Sequence, residues 1–316
     1  MTLVAIWGIG PLKREGTDWA ESESNLDMKP IRFEEVQHEM NRRQFAEKYT
    51  KVVGKFWIKK EHAQNPVVVA DALLRRFPNG VVRGFTALIV RGYSLLDEPR
   101  VAKVSIAKKN SSLIVHHGQI FQDKLPEMHV VKGRRCVSVA QALLDEFPAM
   151  VLEQQVALVD HLVRQNEDLY KQLQQVKALK EVMRLVNPMA ESRPESMLRV
   201  RLRREGIWGF EPQIPVECDG VTRFVDLGNP KLRIALEYQG AVHFEDAEKR
   251  SQDSRRVNEL RAAGWVVIEV TWPDLADQAR WGRLLTELRK QIGRAEEERK
   301  MRRTPIPMPP DPFRPY

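Results

Sequence analysis

The sequence predicts an α/β chain with two domains: an N-terminal α+β domain and a C-terminal domain built on a mixed sheet flanked by helices. Its 316 residues are enough for about two domains. The segments after residue 190 follow the order helix, three strands, helix, strand, helix. Asn187-Pro188 and Ser192-Arg193-Pro194 interrupt a helical pattern. We therefore predict a domain boundary near residues 187–194.

The N-terminal region begins with a predicted arm at residues 1–30, followed by a domain at 31–190. Apolar residues at helical spacing predict a helix at 33–49, and an apolar run around Gly54 predicts strand at 52–60. A helix followed by a basic strand fits the remnant of a winged helix-turn-helix. It fits equally a small α/β lead-in with no role on DNA.

The rest of this domain alternates short helices and strands. In chain order these are a helix at 67–77, strands at 101–107, 112–116 and 129–131, and a helix at 137–147. Two apolar stripes without an intervening Pro or Gly predict one or two long amphipathic helices at 151–186. Such helices either pack on the domain or bind a helix of a partner protein.

The C-terminal domain is predicted at 191–295, followed by a Pro-rich tail at 296–316 that is extended or disordered. Its predicted elements are a helix at 195–204, strands at 214–218, 224–227 and 234–238, a helix at 244–263, a buried strand at 265–270 and a final helix at 281–292.

The charge is unevenly divided between the two parts. The chain has 51 Lys and Arg, 43 Asp and Glu, and a net charge of +8. Residues 1–190 carry 28 basic against 22 acidic residues, a balance of +6, and residues 191–316 carry 23 against 21, a balance of +2. The basic excess is compatible with a polyanionic partner such as DNA. Scattered solvated charges would give the same balance.

Cysteine usage and hydropathy exclude several classes of protein. Two cysteines cannot form a disulfide framework or a four-cysteine zinc site, and they fit a reduced cytoplasmic compartment. No stretch approaches the roughly 18 apolar residues of a spanning helix, so we expect no membrane partner. The first ten residues make a poor secretory signal.

The strongest chemical signal is a pair of carboxylates on successive strands. Asp226 ends the run Phe224-Val225-Asp226, and the next strand delivers Glu237. If the strands pair as a hairpin, both carboxylates lie at one edge of the sheet, where only a cation makes their proximity favourable. Carboxylate oxygens favour Mg²⁺, with Mn²⁺ as a substitute. Such an ion activates water and stabilises the charge that develops when a phosphodiester is hydrolysed.

Other polar residues surround this pair. His243 is a candidate proton carrier or phosphate contact, and Arg256 is a candidate phosphate clamp. Asp253 lies three residues before Arg256 on one helix face, so these two could instead pair with each other. Glu195, on the first helix of the domain, could add a third acidic group.

This pattern, over residues 191–292, resembles the PD-(D/E)XK nuclease superfamily and, more closely, its very-short-patch-repair-endonuclease-like branch. The motifs that carry the resemblance are Glu195-Ser196-Met197-Leu198-Arg199, Val225-Asp226-Leu227-Gly228, Ala235-Leu236-Glu237-Tyr238-Gln239-Gly240 with His243, Asp253-Ser254-Arg255-Arg256, Leu260-Arg261-Ala262-Ala263-Gly264-Trp265 and Val270-Thr271-Trp272.

The resemblance implies a restriction-endonuclease-like fold and a role for each motif residue. Asp226, Glu237 and the Tyr238 carbonyl would bind the metal, Glu195 would be an accessory acid, and Gln239 would replace the usual lysine. The candidate phosphate or DNA contacts are Arg199, Arg255 and Arg256, supported by Asp253. Because Gln239 carries no charge, either cleavage persists without the lysine or the site is that of an inactive binder.

Residues 66–185 resemble, more loosely, the C-terminal domain of AbiEi-like antitoxins of type IV toxin–antitoxin systems. The matching segments are Gly80-Val81-Val82-Arg83-Gly84-Phe85-Thr86-Ala87-Leu88 with Arg91-Gly92, Val137-Ser138-Val139-Ala140-Gln141-Ala142-Leu143-Leu144-Asp145, and Leu158-Val159-Asp160-His161. The resemblance implies DNA or a toxin or defence-system protein as partner. The sequence as a whole predicts a Mg²⁺-dependent DNA endonuclease. The alternative is a non-catalytic DNA-binding regulator with a decayed nuclease fold.

Overall fold

The computed structural model describes residues 28–95, 101–107, 114–122, 124–240 and 247–303. The chain forms two compact units, one of Met1–Gln155 with Leu162–Arg184, the other of Val156–His161 with Leu185–Tyr316. Both units combine helices with mixed sheets, which confirms the mixed α/β class. Within the described residues, no helix is long and apolar enough to cross a membrane.

The first unit contains a two-stranded sheet and a mixed five-stranded sheet. Its elements up to residue 146 are α1 (Arg42–Lys48), β1 (Tyr49–Val53), β2 (Phe56–Lys59), α2 (Pro66–Arg76), β3 (Val81–Val82), α3 (Gly84–Val90), β4 (Ala102–Ser105), β5 (Gly118–Phe121), β6 (His129–Val131), β7 (Arg134–Cys136) and α4 (Val139–Glu146). β1 and β2 pair as an antiparallel hairpin, and the larger sheet has the order β5-β4-β3-β7-β6.

The predicted helix at 33–49 is much shorter in the structure. Asn41 begins α1 by accepting hydrogen bonds from the N–H groups of Arg43 and Gln44, so only seven residues are α-helical. A helix-turn-helix needs two helices joined by a short turn. Among the described residues, the next α-helix after α1 is α2, and the β1–β2 hairpin and a 3₁₀ turn at Lys60–His62 lie between them.

The prediction of one or two long helices at 151–186 is wrong. The structure has three shorter α-helices, α5 (Leu152–Gln165), α6 (Glu167–Gln174) and α7 (Lys180–Met183), with a 3₁₀ turn at Lys177–Leu179. Asn166 adopts an extended conformation, and its side chain accepts a hydrogen bond from the N–H of Asp168 at 3.1 Å. A side chain that caps the next helix in this way ends the preceding one.

The second unit follows the predicted order of elements. These are α8 (Arg193–Arg204), β8 (Glu211–Cys218), β9 (Val221–Asn229), β10 (Ile234–Gln239), α9 (Ala247–Ala262), β11 (Val266–Thr271), α10 (Trp272–Ala276) and α11 (Gln278–Arg303). The sheet order is β11-β10-β9-β8, with β10 and β11 parallel and the other pairs antiparallel. The mixed sheet is therefore confirmed.

Three details of this unit differ from the prediction. The short helix α10 (Trp272–Ala276) was not among the predicted elements. β11 is an edge strand with Val266 and Glu269 exposed, rather than a fully buried strand. The last helix, α11, continues to Arg303, so residues 296–303 of the predicted tail are helical. The remaining tail residues 304–316, and residues 1–27 of the predicted arm, lie outside the described residues.

Helices cover both faces of the sheet. On one face, Leu227 and Leu236 pack with apolar residues of α8 and α11, including Leu198 and Trp281. On the other face, Val225 and Ala235 pack with Val257 and Leu260 of α9. Since Ala235 and Leu236 are adjacent in β10, they point to opposite faces. The unit is therefore a sheet between two helical layers.

The alternation of side chains fails at one point in β9. Val225 and Leu227 are two residues apart and should share a face, yet they belong to different apolar clusters. The β9–β10 ladder also ends at the pair Leu227–Leu236. On β8, Gln213 has a left-handed backbone with φ of 54°, between Pro212 and Ile214, which pair with Leu227 and Val225. Asp226 lies between Val225 and Leu227, at the point where the facing of β9 changes.

Candidate active site

Asp226 and Glu237 join β9 and β10 where the ladder stops. The N–H of Asp226 donates to Oε1 of Glu237 at 3.2 Å, and the N–H of Tyr238 donates to Oδ2 of Asp226 at 2.9 Å. Each carboxylate thus accepts a main-chain N–H from the opposite strand and replaces a bond of the ladder. The structure brings together the two carboxylates that the sequence predicts as metal ligands.

The guanidinium of Arg256, on α9, lies against this pair. Its Nη2 is 2.9 Å from Oδ1 of Asp226, 2.8 Å from Oε2 of Glu237 and 2.8 Å from the carbonyl oxygen of Phe224. Arg256 therefore belongs to the site, but its charge points at the carboxylates instead of outward as a phosphate clamp. Asp253, the alternative partner of Arg256, lies on α9, and its side chain is outside the described part of the structure.

Glu195 supplies a third buried carboxylate. It lies in the first turn of α8, which Ser192 caps, and its Oε2 accepts the N–H of Glu191 at 2.9 Å. The Gln213 amide nitrogen is 3.5 Å from the same oxygen. Burial raises the pKa of Glu195, and the nearby charge of Asp226 raises it further. The predicted accessory acid is therefore close enough to the pair to interact with it electrostatically.

The site brings three carboxyl groups, those of Asp226, Glu237 and Glu195, near one another, and Arg256 pairs with the first two. Burial, followed by the charges of Asp226 and Glu195, raises the pKa of Glu237 from 4.5 to about 8, although Arg256 acts in the opposite direction. The side chain of Glu237 is only 5% exposed, so water screens these charges poorly. Glu237 therefore holds its proton near neutral pH, and a cation bound at this point would favour release of that proton.

Tyr238 and Gln239 complete β10 beside the carboxylates. Gln239 is two residues from Glu237, so both side chains project from the same face. Tyr238 projects from the other face of the strand and packs on the apolar cluster that contains Leu236. Since the N–H and C=O of a strand residue point the same way, the Tyr238 carbonyl faces the β9 side, as its N–H does. His243 lies outside the described residues, so its predicted role stays a prediction.

The structure corrects the expectation for Arg199. Its side chain is fully buried and pairs with the equally buried carboxylate of Asp160, with Nη2 2.8 Å from Oδ2. Its Nη1 donates to the carbonyl of Leu185. A DNA phosphate cannot reach this guanidinium in the folded unit.

Arg255 differs from Arg199 in being accessible. Its side chain is 79% exposed and pairs along α9 with Glu259, which also accepts a hydrogen bond from Arg223. Such an exposed pair is weak and exchanges readily for contact with another anion. Arg255 therefore stays a candidate for DNA contact.

The donor atoms fit a small divalent cation. In the described part of the chain, no group of three His, Cys, Asp or Glu side chains is arranged to hold a metal ion. Mg²⁺, however, is usually held by one or two carboxylates together with waters and substrate phosphates. Asp226 and Glu237 direct one oxygen each to the same point, and a main-chain carbonyl adds a third. This set suits Mg²⁺ or Mn²⁺.

Comparisons with protein-family models, curated proteins and solved structures find no match for this chain. Support for a function therefore comes from the geometry of the site. Two of its components, the carbonyl of Phe224 and the left-handed Gln213, were not predicted from the sequence. A main-chain carbonyl leaves no signature in residue type. Glutamine rarely adopts positive φ, so nothing in the sequence marked position 213.

Proposed function

We propose that the second unit is a restriction-endonuclease-like domain that hydrolyses DNA phosphodiester bonds with Mg²⁺, or with Mn²⁺ in its place. The observation that carries this proposal is the convergence of oxygens of Asp226 and Glu237 on one point, with the buried carboxyl group of Glu195 nearby. Carboxylates that serve only as surface charges would be exposed to solvent. Here the Glu237 side chain is 5% exposed, and a third carboxyl group, that of Glu195, lies nearby.

Each residue then has a defined task. Asp226, Glu237 and a main-chain carbonyl would hold the metal ion, which when bound supplies a Lewis acid for water activation and for charge on the phosphate. Gln239, on the same face as Glu237, would orient the attacking water or a phosphate oxygen through hydrogen bonds of its amide. Glu195 would add a third carboxyl group beside the metal ligands, and Arg255 would contact the DNA backbone from α9.

The first unit would bind DNA or a protein partner. Its resemblance to AbiEi-like antitoxins and the +6 balance of residues 1–190 support this role. A toxin or a phage-defence protein is the partner class that the resemblance indicates.

Plasmid nicking tests the nuclease proposal. The full chain should nick supercoiled DNA with Mg²⁺ or Mn²⁺ and not with EDTA. Asp226→Asn and Glu237→Gln preserve shape but remove the ligand charges, so each should lower the rate at least about 100-fold. The control is Arg289→Gln, which removes an exposed ion pair with Glu205 on the surface of the same unit. Cleavage that persists in both carboxylate variants would contradict the assignment.

A second function is favoured by two specific observations. Gln239 lacks the charge of a catalytic lysine, and Arg256 already neutralises the carboxylates with a protein cation. These features suit a DNA-binding regulator that has lost cleavage. Such a protein would bind DNA with steep salt dependence and show no metal-dependent nicking. Gel shifts across a salt series, run beside the nicking assay, separate the two functions.

A further inference from the structure

The Nη2 atom of Arg256 contacts more oxygen atoms than it can donate hydrogen bonds to. A guanidinium NH₂ group has two hydrogens, yet three oxygens lie within 2.9 Å of this nitrogen. They come from the Phe224 carbonyl, Asp226 and Glu237, and they surround one point. Three oxygens around one point can all coordinate a metal cation, whereas an NH₂ group can donate only two hydrogen bonds.

We infer, on the basis of the proposed nuclease function, that Arg256 is a built-in competitor of the metal ion. Its guanidinium occupies the cation position in the metal-free protein, and the ion must displace it to reach the Phe224 carbonyl, Asp226 and Glu237. The Phe224 carbonyl is thereby assigned as a metal ligand, in addition to the two carboxylates.

The exposure of the side chains favours such an exchange. The Arg256 side chain is 35% exposed, whereas those of Asp226 and Glu237 are 15% and 5% exposed. The arginine can therefore leave towards solvent through rotation of its own side chain. The carboxylates, tied by main-chain N–H groups across β9 and β10, keep their positions.

The displaced arginine gains a second task. A guanidinium that leaves the carboxylates at the edge of the site comes to lie where a DNA phosphate approaches, and it pairs with phosphate oxygens in a planar, bidentate way. Metal binding and phosphate binding by Arg256 then support each other. Without the metal ion, the arginine stays on the carboxylates and contributes little to DNA binding.

Mn²⁺ binding to the full chain without DNA tests this competition. Titrations followed by electron paramagnetic resonance at pH 8 should give Arg256→Gln an affinity at least tenfold higher than that of the wild type. Arg261→Gln, on the same helix but paired with Glu269 on β11, should bind Mn²⁺ as the wild type does. Asp226→Asn should bind at least tenfold more weakly than the wild type.

Thermal unfolding provides a second readout, and Arg256→Lys a second variant. Arg256→Gln leaves the carboxylates without their cation, so its melting temperature should fall, and saturating Mn²⁺ should raise it more than it raises that of the wild type. Arg256→Lys keeps the charge with a smaller head group, so its Mn²⁺ affinity should lie between those of wild type and Arg256→Gln.

Equal or weaker Mn²⁺ binding by Arg256→Gln would overturn the competition, even if the wild type cleaves DNA. Absence of Mn²⁺ binding in all variants would overturn both the competition and the metal-dependent nuclease. Tighter binding by Arg256→Gln without any cleavage of DNA by the wild type would support the competition and contradict the nuclease function alone.

Discussion

The main-chain N–H of Asp226 donates a hydrogen bond to the side chain of Glu237, which lies on the neighbouring strand. With the return bond from the N–H of Tyr238 to Asp226, this contact holds β9 and β10 together beyond the end of their ladder. The two carboxylates are therefore positioned by the main chain, and their separation does not depend on flexible side-chain contacts.

Burial of Glu237 predicts a specific pH dependence of stability. Its pKa is raised from 4.5 to about 8, so the folded protein retains a proton that the unfolded chain releases. The unfolding free energy of the wild type should fall as pH rises through this window, with a slope of up to about 1.4 kcal/mol per pH unit. Glu237→Gln has no such proton, so its stability relative to wild type should rise from pH 5 to pH 8. Urea unfolding at several pH values measures this. A difference in unfolding free energy between the two proteins that does not change with pH would show that folding does not raise the pKa of Glu237.

The buried pair Asp160–Arg199 predicts a large stability effect. Removal of one partner leaves an uncompensated buried charge, so Asp160→Asn or Arg199→Met should each cost about 3–5 kcal/mol of unfolding free energy. The double variant Asp160→Leu with Arg199→Met should cost less than either single change. Urea unfolding provides the comparison, with Arg289→Gln, which should cost less than about 1 kcal/mol, as the surface control. Single variants as stable as this control would show that the pair is not structural.

If the second unit is the proposed nuclease, a positive charge introduced at position 239 should increase cleavage. Gln239 shares a face with Glu237, so Gln239→Lys would place an ammonium near the proposed phosphate position. We expect about a tenfold higher rate of plasmid nicking with Mg²⁺. Gln239→Glu, which places the opposite charge there, should reduce the rate. A lysine variant no faster than the wild type would show that Gln239 lies away from the reacting phosphate.

A methyl group added at Gly84 should strongly destabilise the first unit. Its φ is +58°, and a Cβ at this position would collide with Oε1 of Glu146. That carboxylate cannot easily move, because it accepts the Phe85 N–H at 2.9 Å and pairs with Lys103 at 2.6 Å. Gly84→Ala should therefore destabilise the unit by about 3 kcal/mol or more.

Gly133→Ala is the matched control for this substitution. Gly133 has a φ of +74°, but a Cβ there would meet no atom within 4 Å. It should show only the backbone cost, about 1–2 kcal/mol. Thermal unfolding of both variants separates the two contributions. Equal losses of stability in the two variants would mean that the Glu146 side chain can move aside without a free-energy cost.

The period of the apolar residues was sufficient to predict most elements of the second unit. Alternation over 224–227 and 234–238 predicted adjacent strands that carry Asp226 and Glu237, and the structure has both strands. Asp226 was predicted to end its strand, but β9 continues past it to Asn229. The break in alternation at Asp226 was not predicted; it lies between the pairs Pro212–Leu227 and Ile214–Val225, where Gln213 of β8 has a left-handed backbone. A local pattern contains no information about such a partner.

Non-local contacts explain the other errors in the same way. Arg199 stands among basic residues of α8 and resembles part of a solvated face, and its partner Asp160 lies 39 positions earlier. In the segment 151–186, neither Pro nor Gly marks the break, which Asn166 makes by capping α6. The direction of Arg256 towards the carboxylates likewise required the position of α9 relative to β9.

The inclusion of Val156–His161 in the second unit affects how the chain can be divided for experiments. A fragment that starts at the predicted boundary would lack Asp160, and the N–H of Asn187 would also lose its acceptor on that carboxylate. Arg199 would then be a buried cation without a counterion. A stably folded fragment of the second unit should therefore start before α5, and shorter ones should aggregate or unfold even with every site residue intact.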